Sequence, residues 1–278
     1  MEHPLSKIWF VTGSSRGFGR HFVEAALSRS DKVAATARNA ESLADLVAAH
    51  GEAILPLALD VTDKAAVTAA VEQAHQHFGR LDVVVNNAGY GLFGTIEELG
   101  EQELRDQFET NFFGATWVTQ AVLPYLRAQG SGHIVQISTV GGVTAFPTFG
   151  GYNASKWALE ALSDALAQEV AQFGIKVTLV EPGGFATDWA GSSAVQAQPL
   201  PAYDGAREAV AAVFSGLKVG DPAAAGPALL KIVDAENPPL RVFFGTSPLQ
   251  IVPQVYAERL KTWEEWAEVS AEAEGASA

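Results

Sequence analysis

Strand-length apolar runs, several nearly continuous in Val, Ile and Leu, alternate with helical patterns from the start of the chain. No other feature constrains the fold as strongly. The runs fall at 7–12, 32–37, 53–58, 81–86, 133–138 and 176–181, and a seventh at 240–244. Continuous apolar runs of this length suit strands buried on both faces, as in a parallel sheet. Helical patterns occupy 17–29, 41–50, 64–78, 101–129 and 152–173 between them. Repeated βα units imply right-handed crossovers. The expectation is an α/β, doubly wound fold: a central parallel sheet of about seven strands with helices on both faces.

After Pro182 the rhythm breaks. Residues 183–202 are rich in Gly, Ala, Ser and Pro and too long for an ordinary connection. With the helical pattern at 205–218 they suggest a substrate lid around 188–218. A further helix is expected at 222–235, with Asp221 capping it ahead of Pro222. An acidic helical extension follows from about 249, its pattern clear from Pro253. No linker or repeat divides the chain, so one domain over 1–278 is expected.

Composition narrows the function. The formal charge of −14 disfavours nucleic acid and anionic membranes as partners. There are no cysteines, which removes disulfides, thiol nucleophiles and thiolate metal sites. The six histidines show no ligand pattern, so no metal is expected. The opening Met1-Glu2-His3-Pro4 lacks the regions of a signal peptide, and no apolar stretch is long enough to span a bilayer, pointing to a cytoplasmic protein.

Three candidate ligand-binding segments end the first, third and fourth strands. The first strand runs into Thr12-Gly13-Ser14-Ser15-Arg16-Gly17-Phe18-Gly19, directly before a helix. Glycines in such a turn let the backbone approach a pyrophosphate held at the helix N-terminus, as in Rossmann-type folds. Candidate contacts are Gly13, Ser15, Arg16, Gly17, Phe18 and Gly19. Asp60-Val61 closes the third strand, where Asp60 could bind a cofactor or cap the next helix. Asn87-Ala88-Gly89 closes the fourth, with small residues that permit close passage of a cofactor.

Tyr152 and Lys156 stand at i and i+4 of a helix and so share a face. An adjacent ammonium favours the phenolate, lowering the tyrosine into a range useful for proton exchange with a substrate oxygen. The fifth strand ends in Ser138-Thr139, shortly before them. Strand alternation turns only one of the two hydroxyls toward the substrate.

With these motifs in place, the chain resembles a classical short-chain dehydrogenase/reductase over residues 5 to about 190. It has that family's TGxxxGxG loop, NNAG, YxxxK and, at Pro182-Gly183 followed by Thr187, its nicotinamide-holding turn. The runs 86–94 and 140–152 look most like its hydroxysteroid-dehydrogenase-like branch. The resemblance implies a ketone or aldehyde interconverted with its alcohol by Tyr152, with Lys156 also holding the nicotinamide ribose. Asn111 would support a water linked to Lys156, and Pro182, Gly183, Phe185 and Thr187 would face the cofactor. Because the family's serine stands thirteen residues before its tyrosine, Thr139 and not Ser138 takes that role, unless a bulge shifts the register. A homodimer or homotetramer is also implied. A nucleotide sensor without catalysis is the rival reading, which would need no Tyr/Lys pair.

NADP(H) is expected over NAD(H). An NAD site has an acidic residue ending the second strand. Here Thr36-Ala37-Arg38 ends it, and Arg38 and Arg16 could both meet a 2′-phosphate. Phe93, Phe146, Phe149, Phe185, Trp189 and Tyr203 lie on segments expected around the nicotinamide. They suggest an apolar small-molecule substrate.

Overall fold

The computed structural model describes residues 6–275. The Met1–Pro4 opening read above for a leader lies outside the described residues, as do 276–278. In chain order the elements begin with β1 (Ile8–Val11), α1 (Gly17–Ser28), β2 (Lys32–Ala37), α2 (Ala44–His50), β3 (Ile54–Ala58), α3 (Lys64–Phe78), β4 (Val83–Asn86) and β5 (Leu92–Phe93). Then come α4 (Glu101–Phe108), α5 (Ala115–Gln129), β6 (Gly132–Ile137), α6 (Gly150–Val170), β7 (Ile175–Pro182), β8 (Val195–Gln196) and α7 (Asp204–Ser215). Helix α8 (Ala225–Asp234), β9 (Arg241–Phe244), α9 (Ser247–Glu265) and α10 (Ala267–Glu274) complete the order.

Seven strands form one sheet in the order β3-β2-β1-β4-β6-β7-β9, every pair parallel. The continuous apolar runs are explained by burial on both faces. Along β1, Trp9 and Val11 enter the core beneath α1 and α8, whereas Ile8 and Phe10 enter the core beneath α3, α5 and α6. Helices α1 and α8 approach so closely that a Cβ on Gly226 would lie 2.7 Å from the Ala25 methyl. The strand order reverses between β1 and β4, which opens a crevice at their carboxyl ends. Among the described residues no helix is long and apolar enough to cross a membrane.

The structure corrects the sequence reading in three places. The expected single helix at 101–129 is α4 and α5 joined by a π-helical stretch, Glu109–Gly114. Gly114 ends this stretch and packs closely on Val61: a Cβ there would meet Val61 Cγ2 at 2.6 Å. Helix α6, expected from Tyr152, begins two residues earlier, at Gly150. The C-terminal helix begins at Ser247 and carries Pro253 internally, on an exposed position where a lost backbone bond costs least.

Candidate active site

The glycine turn between β1 and α1 is built from backbone. Gly13 and Gly17 have φ of 68° and 57°, a region that favours glycine. A Cβ on Gly19 would fall 2.3 Å from the Gly13 carbonyl oxygen, so the third glycine lets the turn close. The turn is stitched to the end of β4. Asn87 Nδ2 donates to the carbonyls of Thr12 (2.9 Å) and Gly13 (3.0 Å), and Thr12 Oγ1 accepts from the amides of Asn87 and Ala88, both at 3.0 Å. Helix α1 starts with no side-chain cap and no acidic residue in its first turn. Helix α3, which follows β3, is by contrast capped by Asp63, which accepts from Ala65 and Ala66. An uncapped helix start fronted by glycines fits a pyrophosphate.

All the expected catalytic and cofactor-binding residues except Gly19 and Asn111 line one cleft of about 1630 Å³. Ser15, Gly17, Phe18, Arg38, Asp60, Val61 and Ala88 line one end, and Pro182, Gly183, Phe185 and Thr187 the neighbouring wall. Asp60 does not cap α3; it accepts from the amide and hydroxyl of Thr62, at 3.0 and 2.8 Å. Arg38 is exposed at the end of β2, and among the described residues no acidic partner pairs with it. Arg16 was expected to turn toward the same place. Instead its guanidinium bonds Asp188 Oδ2 at 2.9 Å and Ser192 Oγ at 3.3 Å, because those acceptors sit across the cleft mouth. Phe185 packs edge-on against Phe18, with ring centroids 4.9 Å apart.

Tyr152 and Lys156 meet the cleft from the first turns of α6, and both are buried. Lys156 Nζ donates to the Ile137 carbonyl at 2.8 Å, and burial pushes its ammonium down to about 8 while Glu160 opposes that shift. Burial drives the Tyr152 phenol upward, with the Thr139 hydroxyl pulling the other way. The direction is the reverse of the lowering expected from the adjacent ammonium, because desolvation dominates. A phenol that stays protonated is suited to donating a proton.

Asn111 lies behind the cleft, buried in the π-helical stretch. Its Oδ1 accepts from the Tyr90 amide (3.1 Å), and its Nδ2 donates to the Tyr90 carbonyl (3.0 Å) and Ser155 Oγ (3.2 Å). Gly89 marks where Asn111 approaches Lys156: a Cβ there would lie 3.0 Å from Asn111 Oδ1 and 3.5 Å from Lys156 Nζ. The two candidate hydroxyls part as strand alternation requires. Thr139 interacts with Tyr152 and accepts from the Gly141 amide at 3.2 Å, whereas Ser138 Oγ lies beside Gly142 near Glu160.

The far end of the cleft is aromatic. Trp189 stands 4.9 Å from Tyr152 by ring centroid, Phe93 lies 4.9 Å from Phe149, and Phe149 lies 5.4 Å from Phe214. Tyr203, expected in this group, instead donates its hydroxyl to Glu97 at 2.5 Å and does not line the cleft. Sequence reading missed Phe214, although Val210, Ala211 and Phe214 share one face of a helix at i, i+1 and i+4 and all line the cleft. It also missed a clasp. The buried Glu98 carboxylate accepts from the amides of Thr95 and Leu200, both at 2.7 Å, and from Arg207 at 2.5 Å. These bonds hold its carboxyl down near about 2.

The family model described as short chain dehydrogenase matches residues 7–198. An oxidoreductase of Botryotinia fuckeliana, BOA17, is 43% identical over 96% of this chain and 98% of its own length. A 3-ketodihydrosphingosine reductase of Bacteroides thetaiotaomicron is 37% identical over 92% of this chain and 93% of its own. The crystal structure of a short-chain dehydrogenase from Streptomyces avermitilis superposes with a TM-score of 0.90 at 41% identity. The match covers 97% of this chain and 98% of that one.

Proposed function

The chain belongs to the short-chain dehydrogenase family and is an NAD(P)-dependent oxidoreductase, and from that premise we propose that it interconverts an apolar ketone or aldehyde and its alcohol with NADP(H). The observation that carries this reading is the placement of Tyr152 and Thr139 where the glycine-lined end of the cleft meets the aromatic end. Gly13, Gly17 and the open start of α1 would hold the pyrophosphate. Pro182, Gly183 and Thr187 would hold the nicotinamide, which supplies or accepts the hydride when bound.

Tyr152 gives its proton to the substrate oxygen in reduction and takes it back in oxidation. Thr139 hydrogen-bonds the same oxygen as its charge changes. Lys156 keeps a positive charge next to the phenol and would hold the ribose of a bound cofactor, and Asn111 fixes the backbone beside it. Preference for NADP(H) is supported by Arg38, an exposed guanidinium where an NAD site has a carboxylate. Arg16 can add a second contact only by exchanging Asp188 for the phosphate. An apolar substrate is supported by Phe93, Phe149, Trp189 and Phe214, and by the naming of the Bacteroides relative for reduction of a keto group. Residues 188–218 act as the lid, on a cytoplasmic homodimer or homotetramer.

Initial rates on a panel of apolar ketones with each nicotinamide test the proposal. The expected result is turnover dependent on NADPH, with NADH at least tenfold poorer in kcat/KM. Equal use of both cofactors would remove the assignment to Arg38, and no turnover of any apolar carbonyl would remove the substrate class.

A further inference from the structure

Behind the acid/base pair lies a buried cluster with too many negative charges. Glu160 stands one helical turn beyond Lys156 on α6, and Glu181 lies near the end of β7; their exposures are 5% and 1%. Arg241, on β9, serves both. Its Nε is 3.1 Å from Glu160 Oε2 and 3.6 Å from Glu181 Oε1, while its Nη2 reaches Asp164 Oδ2 at 3.1 Å. Glu160 is thus faced by Lys156 and Asp164 from its own helix, by Glu181 from β7, by Arg241 from β9 and by the Ser138 hydroxyl at the end of β6.

Two dry carboxylates sharing one guanidinium nitrogen do not both ionise readily, because each raises the cost of charging the other. Such a pair titrates as a unit and holds one proton over a wide range. Hydrogen bonding leads to the same place. Among the described residues, Glu160 Oε1, Glu181 Oε1 and Ser138 Oγ are buried without a partner. Two of these three atoms are pure acceptors when both carboxylates are ionised, and an O–H on one acid supplies a missing donor. Burial raises both carboxyls, but on Glu160 the Ser138 hydroxyl, Arg241 and Lys156 all oppose the rise, whereas on Glu181 only the more distant Arg241 does. Glu181 is therefore the protonated member and is pushed up to about 8.

We propose that Glu160 is a positioning residue for the acid/base machinery: as the ionised half of a one-proton Glu160–Glu181 pair, it keeps the neighbouring Lys156 an ammonium in a site otherwise too dry to hold one. The inference rests on giving Lys156 a part in turnover, but it can be read on Lys156 directly.

Lysine labelled with ¹³C at the ε-carbon, with Lys156→Arg identifying the resonance, reports the titration of Lys156 in the whole protein. Glu160→Gln should lower that titration from about 8 by roughly one unit. The alkaline limb of the pH–rate profile should move down with it. Glu181→Gln should leave Lys156 in place or raise it, because it removes the repulsive neighbour and keeps the Glu160 charge. An unmoved Lys156 in Glu160→Gln, or an equal fall in Glu181→Gln, overturns the proposal. If Glu160→Gln does not fold, the carboxyl ¹³C spectrum of the unmutated protein decides: one protonated member near neutral pH supports the pair, and two ionised members overturn it. Full activity in Lys156→Ala would instead sink the assignment of Lys156 to turnover, with the titration outcome still standing by itself.

Discussion

The two walls of the cleft are held in different ways. On the glycine-loop wall, four hydrogen bonds join Asn87 and Ala88 to Thr12 and Gly13, and the strands beneath are fully buried. On the lid wall, α7 has no buried residue, and the segment is tied by Arg16–Asp188, the Glu98–Arg207 clasp and the two-residue β5–β8 ribbon. The Arg16–Asp188 pair is exposed and such pairs contribute little, so of these ties only the clasp has a buried carboxylate. On the proposed assignment of these walls, cofactor geometry is preset and substrate access is left adjustable. Changes in the preset wall should therefore damage chemistry, and changes in the lid should alter access.

The largest effect should come from Tyr152→Phe. Loss of the proton carrier should cost on the order of 10²–10⁴ in kcat, with NADPH affinity, measured by fluorescence titration, nearly unchanged. Residual turnover within tenfold of the parent would mean the acid/base is misplaced. Activity should also fall as pH rises through about 8, where Lys156 loses its charge. Next is Thr139→Val, expected to cost on the order of 10²–10³, while Thr139→Ser stays active and Ser138→Ala is mild. The reverse pattern would mean that Ser138 is the working hydroxyl. Arg38→Asp should weaken NADPH by about 10- to 100-fold, as loss of a charge-assisted contact implies, and should leave NADH within about threefold. Parallel losses for both cofactors would mean that Arg38 does not meet the 2′-phosphate.

The smallest change should be Glu98→Gln, which tests the lid wall. KM should rise several-fold while kcat holds, since the clasp and not the chemistry is loosened. A fall in kcat with KM unmoved would show that the lid is part of the preset wall. The pH sense follows from the depressed Glu98 carboxyl: its anchoring is complete above the ordinary value of 4.5 and is lost as pH falls toward about 2. Tryptophan fluorescence from Trp189 should report loosening only in that acid range. Loosening centred near 4.5 would show that another group holds the lid.

Much of the preset wall was legible in the sequence because its chemistry is local. A glycine loop between strand and helix, Asn87-Ala88-Gly89 after β4, and Tyr152 with Lys156 one turn apart each declare themselves within a few residues. The lid was legible only as a break in rhythm. Its clasp joins Glu98 to Arg207 and its latch joins Arg16 to Asp188, partners separated by 109 and 172 positions that no periodicity connects. Phe214 was hidden for a related reason: an apolar helix face looks the same whether it covers a core or a cleft. The upward shift of Tyr152 was missed because neighbouring charge can be read from spacing, whereas depth of burial cannot.

The π-helical stretch 109–114 has a consequence for phase. Such a turn is a one-residue insertion that a helix has absorbed without ending, and one residue rotates everything after it by about 100°. Upstream, Gln107 Nε2 is aimed at the Tyr90 carbonyl; downstream, Val118, Val122 and Leu126 are aimed at the sheet. A regular α-helix has a single phase and would keep one of these alignments at the expense of the other. The extra residue works as an offset between two clocks, and Asn111 sits at the changeover. Deleting Glu109 or Thr110 should leave the segment helical and still swing Asn111 out of line with Gln107 and away from Tyr90, a frame error written in angle instead of in codons.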